Sequence, residues 1–381
     1  MVFLFSLITF FLEMNFGFNS KVYAHTYSYP QVRYVSSVSE SMSGVILPMG
    51  DEVGNAIMNN PAALAKYAGY RSEPLNLNFI ANSGIVSNLT STLGNTFSLG
   101  GLSSSLNSNA NSEFGLGFSN MTAFSWNGFG LGILLQEHSR ATSDGTNVNY
   151  YVVSQLIPSV GYGFGMARNL IRVGYSLQFV NQTSGPASGV SDSSAKFLSG
   201  LQKGTGLSHN VSLNFAFPVT YLPTFSFIAR NLGGLHFTSG GILPRGSNIT
   251  GVPSSEQMTV DAAFDFMVRI SGNFKSHWYF EYKDFTKKSN FSTSFERLST
   301  GLDLSVSPNV SFRGGMTGIA EFSTGISYRS DHSEIALAYY KEKTPFSTTP
   351  SWDSKFALQY KITLNQKSKK VENDSQSVES K

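Results

Sequence analysis

Val260-Asp261-Ala262-Ala263-Phe264-Asp265-Phe266-Met267-Val268-Arg269-Ile270 alternates along its whole length. Val260, Ala262, Phe264, Phe266, Val268 and Ile270 fall on one phase, and Asp261, Ala263, Asp265, Met267 and Arg269 on the other. Successive side chains of a strand point to opposite faces, so a period of two means one apolar and one polar face. Phe356, Leu358, Tyr360, Ile362 and Leu364 alternate with Lys355, Ala357, Gln359, Lys361 and Thr363. Ile171 to Phe179 and Val211 to Phe217 repeat the pattern. Working outward predicts about fourteen strands: 75–82, 114–125, 128–136, 148–166, 169–181, 209–218, 223–231, 257–270, 276–284, 297–306, 309–317, 320–329, 333–341 and 353–364. Pro158 marks a kink in the fourth.

The connections alternate too. Long ones occupy 83–113, 137–147, 182–208, 232–256, 285–296 and 342–352. Between them lie short ones: Trp126-Asn127, Ala167-Arg168, Val219 to Leu222, Ser271 to Lys275, Ser307-Pro308 and Ser330 to His332; of the connections on the long side only the eleventh, 318–319, is short. Short turns at one end and long loops at the other are the pattern of an outer-membrane barrel. Many of the strands have the nine to eleven residues that a tilted membrane strand needs. Such a barrel turns its apolar face to lipid and its polar face to the lumen, and its sheet must close because hydrocarbon satisfies no open edge. Trp126, Tyr162, Tyr221, Trp278, Tyr328, Tyr339, Tyr340 and Trp352 lie near strand ends, where an interfacial girdle belongs.

Composition agrees. The 381 residues include 31 Phe, 17 Tyr and 36 Gly, and only 13% are charged, against roughly 25% in an average soluble domain. A mean hydropathy of -0.08 excludes a bundle of membrane helices. A net charge of +3 gives no basic stripe for nucleic acid. With no cysteine, thiol catalysis, Cys zinc sites and disulfide scaffolds are excluded. Val2 to Leu12 is an apolar run too short to span a bilayer, and Val22-Tyr23-Ala24 has cleavage-site character, so residues 1–24 are expected to be an export signal. The polar run 365–381 is expected to be a disordered tail.

Residues 25–74 do not alternate. Asn60-Pro61-Ala62-Ala63-Leu64-Ala65-Lys66-Tyr67 has helix-start chemistry, with Asn as N-cap, Pro at the first helical position and Gly69 as the stop. Asp51 is placed to cap an earlier turn running to Met58. A compact element ahead of a barrel fits in its lumen.

Ser41-Met42-Ser43-Gly44, Gly50-Asp51-Glu52 and Asn59-Asn60-Pro61-Ala62-Ala63-Leu64-Ala65 together resemble the N-terminal hatch of the FadL-type outer-membrane transporters of long-chain fatty acids and aromatic hydrocarbons. Ala63 stands where that family has Gly, and Glu52 where it has a second Asp. Ala229-Arg230-Asn231-Leu232-Gly233, and Leu298-Ser299-Thr300-Gly301 with Arg313-Gly314-Gly315, resemble segments of related barrels that serve protein secretion. The resemblance implies an all-β, fourteen-stranded transmembrane barrel over 75–364 with a hatch over 25–74, in the outer membrane of a diderm bacterium. It also implies passive uptake of hydrophobic molecules past the hatch to a side opening. On this reading Asn59, Asn60, Pro61, Ala62 and Leu64 line the substrate path. The alternative is a structural or shuttle barrel whose partners are secreted proteins. A weaker alternative is an outer-membrane lipolytic enzyme.

Ile85, Leu89, Leu93 and Phe97 recur every four residues inside a Ser/Asn/Gly-rich connection, forming one apolar face. They are candidates for a loop that collects hydrophobic ligands, with Leu235, Phe237, Ile242 and Leu243 of the loop 232–256 beside them. Arg172, Asp261, Asp265, Arg269, Glu281, Lys283, Asp303, Arg313, Glu321, Arg329 and Glu334 fall on polar phases, where salt bridges that stiffen the barrel are the expected role. The six His are scattered and no catalytic or phosphate-binding motif occurs, so a non-enzyme without cofactor or metal is expected. Its expected partners are membrane lipid and a hydrophobic small molecule.

Overall fold

The computed structural model describes residues 34–49, 51–83, 113–143, 148–187, 199–219, 221–242, 248–271, 274–287, 295–318, 321–343 and 352–365. The expected signal (1–24), the tail beyond Asn365 and the candidate collecting residues Ile85, Leu89, Leu93 and Phe97 lie outside these residues. Among the described residues, no helix is long and apolar enough to cross a membrane.

Among the described residues sixteen strands form one sheet. They are β1 (Tyr70–Asn82), β2 (Glu113–Trp126), β3 (Phe129–Ser143), β4 (Val148–Met166), β5 (Ile171–Ala187), β6 (Ser199–Ala216), β7 (Thr224–Arg230), β8 (Thr238–Ser239), β9 (Asn248–Gly251), β10 (Thr259–Ser271), β11 (Phe274–Tyr282), β12 (Leu298–Ser305), β13 (Val310–Thr317), β14 (Glu321–Arg329), β15 (Ser333–Lys343) and β16 (Trp352–Asn365). Fourteen close an antiparallel barrel, with β1 against β16 and β5 against β6. β8 and β9 are short additions along the first half of β6.

Burial is the inverse of a soluble protein's. On β3, Leu131, Ile133 and Leu135 are exposed while Gly132, Leu134 and Gln136 are buried. Around the barrel the exposed set includes Phe79, Phe164, Phe227, Phe322 and Leu337, and the buried set includes Asn76, Ser176, Asn210, Glu281 and Gln359. Only hydrocarbon outside and hydrogen-bonding partners inside make this distribution favourable. Trp126, Tyr162, Tyr221 and Tyr328 are exposed beside the short turns. Tyr340 differs from the girdle expectation: it faces inward and is buried with Ala338 and Ala357.

Several strands depart from their expected limits for physical reasons. β6 begins at Ser199 rather than 209, because Ser199-Gly200-Leu201-Gln202-Lys203-Gly204-Thr205-Gly206 has no apolar phase and is held by its backbone ladder to β5. β3 and β5 extend likewise at their long-loop ends. Pro158 stays in register with Ile133 of β3. Toward β5 the ladder pairs Leu156 with Asn181 and Ser159 with Gln178 and skips the residues between, as a missing N–H requires.

β1 starts at Tyr70, earlier than the expected 75. Its register slips between Ser72 and Leu75 toward β16 and between Glu73 and Leu77 toward β2, so Pro74 sits in a bulge. A bulge re-aims side chains, and here it leaves both Ser72 and Glu73 buried.

Candidate functional site

The described residues between Tyr34 and Tyr67 pack as a hatch inside the barrel. They form α1 (Ser37–Glu40), α2 (Val53–Asn59) and a 3-10 helix (Pro61–Lys66). α1 and α2 have too few residues to be stable alone, so the wall must hold them.

It does so by hydrogen bonds to hatch main chain. Glu73 accepts from the Val53 and Gly54 N–H groups at 2.9 and 3.1 Å, at the positive end of α2. Asp51 was the expected cap, but the bulge at Pro74 delivers a wall carboxylate to these amides instead. Glu281 accepts from Ile46 N–H at 2.6 Å and Leu47 N–H at 2.9 Å. Ser212 accepts from Ala62 N–H at 2.6 Å, and Gln178 donates to the Met58 carbonyl at 2.8 Å. At the opposite wall, Ser323 Oγ accepts from Ser43 N–H at 2.7 Å. Glu73→Gln leaves one of two buried amides facing a donor, which costs about 1–3 kcal/mol. The expected result is faster hydrogen exchange at Val53 and Gly54 than at strand amides of the same variant.

Wall glycines make the fit possible. A Cβ on Gly174 would lie 2.1 Å from Pro61 C and Ala62 N, and one on Gly163 would lie 2.5 Å from the Pro61 carbonyl oxygen. These two glycines face each other across β4 and β5. Gly301 and Gly315 pair across β12 and β13. Both crowd Met42: a Cβ added to either would stand 2.9 or 2.4 Å from it. The Gly301 and Gly315 segments noted in the sequence are therefore seats for the hatch.

Of the five sequence-predicted path residues, all are buried in this hatch. Asn59 donates from Nδ2 to the Tyr34 carbonyl at 2.7 Å and to Asn55 Oδ1 at 2.8 Å, and accepts from Arg230 Nη1 at 3.0 Å. Asn60 stands at the N-cap position, yet its Nδ2 donates to the Leu47 carbonyl at 2.8 Å instead of its oxygen capping the helix. Pro61 and Ala62 rest on Gly163 and Gly174. Leu64 fills the space over Gly161 and Gly130. Gly69, with φ of +82°, ends the segment as expected.

An apolar file runs along one side of the lumen. Met121 of β2 pairs with Leu134 of β3, and Leu134 with Ile157 of β4. Val180 of β5 continues the row and pairs with Gly206 of β6, whose missing side chain leaves room for Leu235. Leu235 and Phe237 of the long connection after β7 join Val180, Ile157, Leu134, Ile57, Met58 and Leu64 in one cluster. The file thus reaches from a long loop to the hatch. Ile242 stays exposed, and Leu243 lies outside the described residues. Beside the row, Gln136 donates to Gln155, and Gln155 to Gln182 at 2.7 Å.

Charged groups are spread over the rest of the wall among neutral polar and apolar side chains. Lys361 lies 2.9 Å from both Glu52 of the hatch and Glu334, and Arg329 lies 3.0 Å from Glu334. Arg313 bridges Asp303 at 2.9 Å. Asp261, Asp265 and Arg269 share a face of β10, but Asp261 pairs with Arg230 and Asp265 with His277, each at 2.9 Å, while Arg269 is exposed. In the hatch, desolvation inside the barrel pushes the Lys66 ammonium below its ordinary range, with Asp51 opposing the fall. Desolvation also raises the Asp51 carboxyl, but Lys66, His277, Arg329 and Arg71 outweigh it and hold it below the usual carboxylate range. Among the described residues no three His, Asp or Glu gather to hold a metal ion. His236 Nδ1 and Ser255 Oγ lie 3.3 Å apart, both exposed on a long connection rather than on the wall.

Sequence reasoning missed Glu73, Arg230 and Lys361 as hatch contacts. Lys361 was visible on a polar phase, but its partner Glu52 lies 309 residues away. Glu73 sits beside Pro74, and a proline at a strand's start is the signal for a bulge.

No family model and no curated protein matches this chain. Among solved structures, it is similar to the CymD monoaromatic hydrocarbon channel at 13% identity, with a TM-score of 0.52 over 87% of this chain and 97% of that one. It is similar to the deltaS2S3 mutant of the TodX monoaromatic hydrocarbon channel at 12% identity, with a TM-score of 0.52 over 88% of this chain and 99% of that one. At these identities the likeness is one of fold, and it extends over nearly the whole of both chains.

Proposed function

We propose that the protein is a non-enzymatic channel in the outer membrane of a diderm bacterium, through which hydrophobic small molecules of the fatty-acid or monoaromatic class pass without energy input. The observation that carries the reading is the apolar file from Leu235 and Phe237 through Val180, Ile157 and Leu134 to Ile57, Met58 and Leu64. Leu235 and Phe237 are buried at its outer end, so a hydrophobic ligand enters by displacing them and leaves water at ~25 cal/mol per Å² of apolar surface buried. The side chains at its inner end belong to the hatch, so passage requires the segment Asn59 to Leu64 to give way. The channels that share the fold are named for monoaromatic hydrocarbons, which supports the same solute class here.

The test compares cells with and without the chain for initial uptake of labelled toluene, a labelled long-chain fatty acid and a polar sugar. Expression is expected to raise the rate for at least one hydrophobic probe several-fold and leave the sugar unchanged. Deleting Asn59 to Ala62, which removes the contacts to Arg230 and Ser212, is expected to admit the sugar as well. Equal hydrophobic uptake with and without an inserted barrel sinks the channel reading and leaves the secretion-shuttle alternative.

A further inference from the structure

His277 of β11 stands between two partners. Its Nε2 lies 2.9 Å from Asp265 Oδ2 and its Nδ1 lies 2.8 Å from the Tyr279 hydroxyl. An ionised carboxylate only accepts, so Nε2 carries the proton. Nδ1 of the neutral ring is then an acceptor, and the Tyr279 O–H donates to it. Among the described residues no other hydrogen bond holds this hydroxyl. The Tyr279 ring is buried, its centroid 4.2 Å from that of the imidazole, and it packs with Val38, Met42 and Val45 of the hatch. Tyr279 pairs with Gly301 of β12, against which Met42 sits. The side chain that steadies this end of the hatch is thus itself held by a histidine. The His277 side chain is 29% exposed, so protons from the lumen reach it.

Histidine is the side chain whose charge ordinarily changes between about pH 5 and about pH 8. A charged imidazole donates from both nitrogens. Nδ1 then presents a proton to the Tyr279 oxygen, and the phenol proton must go elsewhere. Asp303, level with His277 on β12, faces the phenol. Its Oδ2 accepts from Arg313, but its Oδ1 is buried without a partner. Reaching that oxygen turns the Tyr279 ring from β11 toward β12, into the place of Met42 against Gly301.

Other charges also bear on His277. Arg269 and Lys275 lie level with each other, two residues nearer the short turn. These two, with Asp265, Asp303 and Arg313, belong to the wall and stay beside His277 whether the hatch is in or out. They therefore give the hatch no bias. Asp51 of the hatch does, because its carboxylate favours a charged His277 while the hatch is seated. Asp51 is exposed, however, and exposed charge pairs contribute little. A buried hydroxyl left without an acceptor costs more, so acid favours the unseated hatch.

We propose that His277 is a pH-sensitive latch for the Met42 end of the hatch. Neutral, it holds Tyr279 against Val38, Met42 and Val45. Charged, it hands the phenol to Asp303, and Met42 leaves its seat on Gly301 and Gly315. The proposal rests on the reading that the hatch moves, but it is tested without measuring flux.

The chain has no cysteine, so Val45→Cys places a single thiol in the cluster around Tyr279, where Val45 is 0% exposed. The measured quantity is the rate of maleimide labelling of the purified barrel, divided by that of a cysteine peptide at the same pH. From about pH 8 down to about pH 5 this ratio is expected to rise about tenfold, the weight of one buried hydroxyl without an acceptor. In the Val45→Cys background, Tyr279→Phe has no hydroxyl to misplace, and His277→Gln accepts and donates alike at every pH. In each of these the ratio is expected to stay flat. If Tyr279→Phe does not insert as a barrel, His277→Gln is read alone. Asp51→Asn is expected to keep the rise. A flat ratio with Val45→Cys alone overturns the latch. So does a rise that survives His277→Gln, or one that disappears in Asp51→Asn, because either result places the titrating group elsewhere. Failure of hydrophobic uptake with this pH pattern intact refutes the channel reading and not the latch.

Discussion

Gly174→Ala is expected to unseat the hatch while leaving the barrel inserted. The added methyl would stand 2.1 Å from two backbone atoms of Pro61 and Ala62. Side chains relieve crowding by changing rotamer, but a main chain pinned by Pro61 and by the Ala62–Ser212 hydrogen bond has no such freedom. Overpacking of this kind costs about 1–3 kcal/mol where neighbours adjust, and these cannot adjust in place. The strands have their own ladders and lipid contacts, so the part that yields is the hatch. The expected result is entry of large polar antibiotics into cells, with new trypsin cleavage after Lys66 and a barrel that still resists SDS without heating. Gly251→Ala, with nothing near its added carbon, is the matched control and should change none of these. Intact antibiotic exclusion in Gly174→Ala would mean that the wall, not the hatch, absorbs the strain.

The barrel was legible because its physics is local. Each membrane strand needs an apolar face against lipid, and that requirement writes a period of two into segments such as Val260 to Ile270. The short connections keep the period in phase from one strand to the next. Where a strand carries no apolar phase the signal vanishes, and the start of β6 at Ser199, which is packed by β8, β9 and Leu235, was missed for that reason. The wall glycines carried no readable meaning as single residues. Gly163 and Gly174 look like any glycines in a glycine-rich barrel until their register places them on Pro61.

The hatch was legible as a segment and not as a site. Asn60-Pro61 announced a helix start, and Pro61 does begin the 3-10 helix. Its partners were hidden because they depend on closure. Glu52 meets Lys361 only once β16 lies beside β1, and Asn59 meets Arg230 only once a turn at Asn231 ends β7 early. The charged residues were assigned to the right phases, but their pairing crosses strands, Asp261 to Arg230 and Asp265 to His277, rather than running along β10. A single strand's sequence contains its faces and not its neighbours.

A disulfide between the hatch and β14 is expected to stop hydrophobic uptake reversibly. Ser43 and Ser323 present their hydroxyl oxygens 2.8 Å apart, and Ser43 N–H also donates to Ser323 Oγ. Replacing both with cysteine puts two sulfurs where a bond of about 2.05 Å can form with modest rotation. No other thiol exists in the chain to divert the reaction. The link fixes the Met42–Gly44 end of the hatch to the wall while leaving the apolar file and Asn59 to Leu64 chemically untouched. If solutes slip through a static gap, the oxidised variant transports like the parent. If the hatch must travel as a body, oxidation lowers uptake of the hydrophobic probe at least tenfold, and a reductant restores it in the same cells. An intermediate drop of about twofold that the reductant also reverses would confine the movement to the far end, around Asn60 and Pro61, where Ser212 and Gln178 hold the main chain by one hydrogen bond each.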